Sequence, residues 1–161
     1  MRIILHTLVL SSANIDKLID FEKKARLSEP EVFISDFDEQ SFRASTLAAL
    51  GSPRFASARC MMCVLEAEVV GRLDFVMLPS LAFGGDLRAY VDWVYVLKGH
   101  RHKGIARFLF GEMEACLKAE GASEFFLAAA ENEDAQRFYR SIHEATIKKQ
   151  DVLTKNLKAR A

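Results

Sequence analysis

From Arg2 to Leu10 the apolar positions Ile3, Ile4, Leu5, Leu8, Val9 and Leu10 crowd too closely for an amphipathic helix and predict a largely buried strand. Ser11 and Ser12 then offer N-cap oxygens to a helix in which Ile15, Leu18, Ile19 and Ala25 recur at helical spacing, and Pro30 breaks it. Phe42 to Leu50 predicts a second, shorter helix closed by Gly51-Ser52-Pro53. From Phe55 to Leu78 the texture is β. The apolar runs Cys60–Leu65 and Val69–Leu78 flank a short link around Glu66 to Glu68, which predicts an antiparallel hairpin. Pro79 and Gly84-Gly85 frame a loop, and Tyr90 to Leu97 is the most convincing strand of the chain. Gly104 to Glu120 switches to a helical period, with Ile105, Phe108, Leu109, Met113, Cys116 and Leu117 on one face and Gly121 placed to cap the end. A short strand over Phe125–Ala129 follows. Asn132 is placed to cap a helix that turns Ala135, Phe138, Tyr139 and Ile142 inward, and Thr146 to Leu157 reads as a polar final strand or strand pair. The order β-α-α-β-β-β-α-β-α-β is that of an α+β or mixed-sheet domain.

Length and charge narrow the function. The 161 residues, half of them hydrophobic, suit one globular domain over 1–161 and exclude disorder. Lys plus Arg and Asp plus Glu are 22 each, so the phosphate-neutralising excess of a nucleic-acid binder is missing and no nucleic-acid partner is expected. No apolar run is long enough to span a bilayer, and Arg2 is not followed by a signal-peptide pattern. Three cysteines form no disulfide framework and fit a reducing, cytoplasmic setting.

The chemistry concentrates in Val94-Tyr95-Val96-Leu97-Lys98-Gly99-His100-Arg101-His102-Lys103-Gly104-Ile105-Ala106. A buried strand ends, a short basic loop follows, and a long helix begins at once. The first amides of a helix lack internal acceptors and sit at the positive end of its dipole. Gly104 lets a phosphate approach the backbone, Ala106 keeps the next turn small, and Arg101 and Lys103 add mobile positive charge. The cradle suits a pyrophosphate. An ordinary strand-to-helix turn with solvated basic residues is the other reading of the same residues.

The run Arg101-His102-Lys103-Gly104-Ile105-Ala106 resembles the R/Q-x-x-G-x-G/A acyl-CoA motif of the GNAT (GCN5-related N-acetyltransferase) superfamily, and Asn132-Glu133-Asp134-Ala135-Gln136-Arg137-Phe138-Tyr139 resembles that family's N-x-x-A-x-x-F-Y signature. Element order matches over nearly the whole chain. His143-Glu144 stands where most members carry Gly-Phe. The resemblance implies a mixed central sheet with splayed strands and helices on both faces, with acetyl-CoA as cosubstrate and no metal. It implies that the main chain at Val94 and Val96 pairs with pantetheine, and that amides from His102, Lys103, Gly104, Ile105 and Ala106 hold the pyrophosphate. An amide near Val96 would polarise the thioester carbonyl. Arg101 and Asn132 are assigned to cofactor binding on the same basis. Tyr139 falls at the family's usual general-acid position, where a phenol stays protonated at neutral pH. Asp92, on the strand leading to the gap, is the base candidate, with a water chain as the alternative. The implied reaction is direct attack of a small-molecule primary amine on the thioester. Peptide or protein amines, an acyl-CoA sensor without turnover and an RNA-acetylating toxin are the alternatives, and a homodimer is compatible with the family.

Other residues are weighed beside these. Cys60 and Cys63 lie three apart on a strand and point to opposite faces, so a metal or redox pair is not expected. His100 and His102 read more simply as surface residues of the loop than as metal ligands. Trp93 and Tyr95 share one strand face, for core or dimer packing or as a substrate wall. The acidic positions Glu29, Glu31, Asp36, Asp38 and Glu39 either draw in a cationic acceptor (an aminoglycoside, a polyamine or an amino sugar) or form a solvated loop. The Pro79–Arg88 loop is a second candidate for shaping the acceptor pocket.

Overall fold

A computed structural model describes residues 4–33 and 35–157. Five strands, β1 (Leu5–Val9), β2 (Ala58–Leu65), β3 (Glu68–Pro79), β4 (Leu87–Val96) and β5 (Glu124–Leu127), form one sheet in sequence order. The first three pairings are antiparallel and β4 pairs with β5 in parallel. The hairpin expected around Glu66 joins β2 to β3, with Glu66 in the left-handed region at φ 59°.

Helices cover the two faces of the sheet. Helix α1 (Ile15–Ser28) buries Leu18, Phe21 and Ala25 against Met62, Val64, Val69, Tyr95 and Leu97. Asp38 caps α2 (Glu39–Leu50), its Oδ1 accepting from the Ser41 amide at 2.6 Å. In α3 (Ile105–Ala119), Ile105, Leu109, Met113 and Leu117 recur every fourth residue and are all buried, the stripe a sheet-packing helix needs. A Cβ on Gly71 of β3 would meet Ile105 Cγ2 at 2.7 Å and Leu109 Cδ1 at 3.1 Å, so a bare Cα there lets the first turn of α3 settle on the sheet. Burying one such leucine contributes about 1.5–3 kcal/mol.

The covered sheet explains the continuous apolar run in β2, where Met61, Met62, Cys63 and Val64 are all buried. Cys60 packs with the α1 cluster, whereas Cys63 lies opposite Gly71 and faces α3, so the two thiols diverge as expected. Burial pushes the Cys63 thiol up to about 11 and the Cys60 thiol above its ordinary value as well, and both are free.

The chain divides into two compact units at Ala128–Ala129. In the second, α4 (Glu133–Arg140) is followed by residues 141–157 without helix or strand. The final strand expected over Thr146–Leu157 therefore does not form. Lys148-Lys149-Gln150 interrupts it, and Ile147, Val152, Leu153 and Leu157 stay 46–97% exposed, too sparse a pattern to bury one face. The other boundaries move less: β5 stops at Leu127 rather than Ala129, and residues 2 and 3 of the first predicted strand lie outside the described residues.

Candidate active site

Strand β4 changes character halfway along. Arg88, Ala89, Tyr90 and Val91 pair with Glu124, Phe125, Phe126 and Leu127, and there the parallel pairing ends. On the β3 side Val91 lies opposite Phe75 and Trp93 opposite Asp74, which leaves Asp92 as the extra residue of a bulge. Past the bulge, among the described residues, β4 pairs with β3 alone. The Leu97 amide donates to the Val70 carbonyl at 3.0 Å, and with two-residue alternation Tyr95 and Trp93 also aim their backbone groups at β3. Val94 and Val96 accordingly aim theirs the other way, along the side that β5 has left. Backbone groups turned to an open edge need a partner, and an extended amide-bearing ligand supplies one as an added strand would.

The loop after β4 leads straight to that edge. Gly104, at φ 80°, stands at the N-cap of α3, and no side chain caps the helix. Its carbonyl accepts the first helical bond from the Phe108 amide at 2.9 Å, so the amides of Ile105, Ala106 and Arg107 precede the intrahelical ladder. A Cβ on Gly104 would meet nothing within 4 Å, so the space over the helix start is open. His102 also takes a left-handed φ of 60°, while the Lys103 ammonium is tied back to the Gly99 carbonyl at 2.9 Å. An uncapped, dipole-positive helix start beside an open β-edge fits a ligand carrying both phosphates and peptide-like amides.

Arg101 departs from expectation. Rather than offering mobile charge to the loop, its guanidinium turns inward. Its Nη1 donates to Glu29 Oε1 at 3.0 Å, its Nη2 to Glu29 Oε2, and its Nε to the Val96 carbonyl at 3.1 Å, while the group lies 5.3 Å from the Tyr95 ring centroid. The Tyr95 hydroxyl also donates to Glu29, which is 7% exposed at the C-terminal end of α1. The Arg101 guanidinium holds the Glu29 carboxyl below its usual value, and burial raises the Tyr95 phenol. Arg101 thus braces the end of β4 and the loop start against α1. The tie spans 72 residues, and no local pattern announces it.

The same observation reduces the acidic segment. Glu29 is occupied by Arg101 and Tyr95, Asp38 caps α2, and Glu39 pairs with Lys23 and Arg43. Of the five carboxylates Glu29 is buried and Glu39 is ion-paired, while Glu31, Asp36 and the capping Asp38 stay exposed, which fits the solvated-loop reading of the segment better than a single cation-binding surface.

On the α1 side of the bulge a cleft of about 320 Å³ is lined by Glu22, Phe33, Phe42, Arg72, Asp74, Asp92 and Trp93. The bulge explains why the neighbours Asp92 and Trp93 both line it, since a bulge breaks the strict alternation of sides. Trp93 stacks on Tyr95 with centroids 6.5 Å apart and 11° between planes, and Phe33 meets both rings edge-on. Under them Arg72 grips Asp74 through Nε at 3.0 Å and Nη2 at 2.5 Å, and reaches Glu22, which also holds Arg26. Sequence reasoning passed over this cluster. Its signal was an arginine and an aspartate two residues apart, hence on one strand face, inside an otherwise apolar run.

In the second unit the Asn132 side chain caps α4, accepting from the Ala135 amide at 2.9 Å, and Gln136 Nε2 donates to the Ala130 carbonyl at 2.8 Å. Burial raises the Tyr139 phenol above its ordinary value, so it remains a donor at neutral pH. At the His143-Glu144 departure, Glu144 takes a left-handed φ of 61°. Among the described residues no group of three or more His, Cys, Asp or Glu is arranged to hold a metal, and no helix is long and apolar enough to cross a membrane.

The model of the acetyltransferase (GNAT) family matches residues 21–143. No curated protein matches the chain in sequence. Among solved structures, a ribosomal-protein-alanine N-acetyltransferase from Brucella melitensis biovar Abortus 2308 superposes with a TM-score of 0.70 at 20% identity, over 95% of this chain and 100% of that one. An aminoglycoside acetyltransferase from an uncultured soil metagenomic sample, in complex with trehalose, gives 0.72 at 19% identity over 96% and 97%. An aminoglycoside N-acetyltransferase in complex with CoA gives 0.71 at 12% identity over 96% and 97%. At these identities the structures share a fold with this chain.

Proposed function

The chain belongs to the GNAT acetyltransferase family, and from that premise we propose that it transfers the acetyl group of acetyl-CoA to the primary amine of a small molecule, by direct attack in a ternary complex. The observation that carries this reading is the end of the β4–β5 pairing at Val91, next to the Asp92 bulge, on the strand that leads to the start of α3, where no side chain caps the helix. Val94 and Val96 would hold the pantetheine arm along the open edge, and the amides from His102 to Ala106 would hold the pyrophosphate. Arg101, bound to the Val96 carbonyl and Glu29, fixes the loop between these two contacts.

The acceptor enters as an ammonium and must lose a proton before its nitrogen is nucleophilic. Asp92, exposed beside the open half of β4, is the group to take that proton, directly or through water. The nitrogen then attacks the thioester carbonyl carbon, the carbonyl oxygen gains charge near the Val96 amide, and the tetrahedral adduct loses its second proton. The C–S bond breaks and the leaving thiolate takes a proton from a general acid, the role that the family motif implies for Tyr139. One amide, one thiol and one net proton result.

Acetyl-CoA with a panel of amines tests the assignment by release of free thiol. Tyr139→Phe should lower kcat at least tenfold while acetyl-CoA still binds in calorimetry. Binding without thiol release from any amine, small or peptidic, would instead identify a sensor. Transfer to peptide amines alone would move the acceptor to proteins.

A further inference from the structure

Resting on that reading, the geometry points to an acceptor of one chemical class: a primary monoamine carried on a planar, apolar carbon body, of the arylalkylamine type, rather than a polycation. The cleft at the β4 bulge holds three carboxylates and offers one. Glu22 is held by Arg26 and Arg72, and both oxygens of Asp74 are held by Arg72. Asp92 is exposed and has no ion pair or hydrogen bond among the described residues. An acceptor with one ammonium therefore finds one partner. An acceptor with several brings its further charges against two arginines already seated among the carboxylates.

The remaining walls are aromatic. Phe33, Phe42 and Trp93 line the cleft, and Trp93 is 40% exposed although it is the largest side chain of the sheet. It is held in place rather than loose: Tyr95 stacks behind it and Phe33 meets it edge-on at 6.3 Å between centroids. Phe33 is steadied in turn by the Arg26 guanidinium, 4.9 Å from its ring centroid. A rigid, exposed indole beside a fixed phenyl ring favours a flat hydrocarbon surface, which loses little freedom on docking. The cleft is shallow and open to solvent, with a volume of about 320 Å³, room for a small flat body laid against its aromatic wall. Phe33 and Trp93 are thus specificity-determining residues, and Asp92 receives the amine.

Trp93 is the only tryptophan of the chain, so occupancy is readable without turnover. Phenethylamine, spermidine and sisomicin are titrated into the protein saturated with CoA while Trp93 emission is followed, and kcat/KM for each is measured with acetyl-CoA. Phenethylamine should perturb the emission saturably and be acetylated with a kcat/KM at least tenfold above either polyamine. Phe33→Ala should lower that kcat/KM at least tenfold with the KM for acetyl-CoA within twofold of wild type, and Phe33→Tyr should restore most of it. Equal or better turnover of spermidine or sisomicin would overturn the monoamine class and leave small-amine acetylation standing. A heat of binding with acetyl-CoA but neither a Trp93 signal nor acetylation with phenethylamine would overturn it too. Absence of any heat with acetyl-CoA would instead remove the underlying reading.

Discussion

The two halves of β4 are built from similar residues and do opposite things. Leu87–Val91 is paired on both edges, with Ala89 and Val91 buried, and its backbone is used up in the sheet. Asp92–Val96 keeps one strand neighbour and leaves the groups of Val94 and the amide of Val96, whose carbonyl is held by Arg101, along an edge that ends beside a helix with no side-chain cap. One bulged residue separates them. Completed hydrogen bonding makes structure, and the same backbone with its partner withdrawn makes a ligand site.

That contrast predicts where substitutions act. The largest effect should come from Arg72→Met, beneath the open half: it leaves the half-buried Asp74 without its cation and Glu22 with Arg26 alone, and should cost about 3–5 kcal/mol in chemical denaturation. Next, Gly71→Val forces a side chain against Ile105 and Leu109. It should cost about 1–3 kcal/mol and weaken acetyl-CoA binding with it, because the start of α3 is displaced. A closed-half substitution, Val91→Ala, should lower stability by about 1–3 kcal/mol while kcat per folded molecule stays near wild type. Loss of turnover there without loss of stability would erase the distinction between the halves.

Glu29 gives a pH test. Its folded-state carboxyl lies below the usual value because Arg101 stabilises the charged form, so its contribution is complete above the ordinary glutamate range and fades as pH falls through the depressed value. Glu29→Gln should flatten the acid limb of a stability-pH curve and raise the KM for acetyl-CoA several-fold. Asn132→Ala should do least. It removes the cap of α4 and costs about 1 kcal/mol, and a fall in acetyl-CoA affinity beyond that loss would mark the cofactor contact that the family motif implies for Asn132.

What could be read in advance follows the physics of each feature. Helix α3 and strand β4 were legible because period and apolar content agree over many residues, and Gly104 announces its left-handed turn locally. The bulge at Asp92 was not, because it exists only relative to its partners Asp74 and Phe75 on β3. The Arg101–Glu29–Tyr95 tie joins three distant segments, so Arg101 read as a loop cation when it is a brace. Ile147, Val152 and Leu153 suggested a closing strand, but so few apolar positions around two lysines bury nothing.

Amide hydrogen exchange with and without CoA addresses the two halves of β4 in one experiment. CoA should slow exchange at Val94, Val96, Ile105 and Ala106 while Ala89 to Val91, already paired, stay as slow as before. Unchanged exchange across Val94–Ala106 at saturating CoA, or new protection confined to other segments, would contradict the assignment of the open half to the cosubstrate.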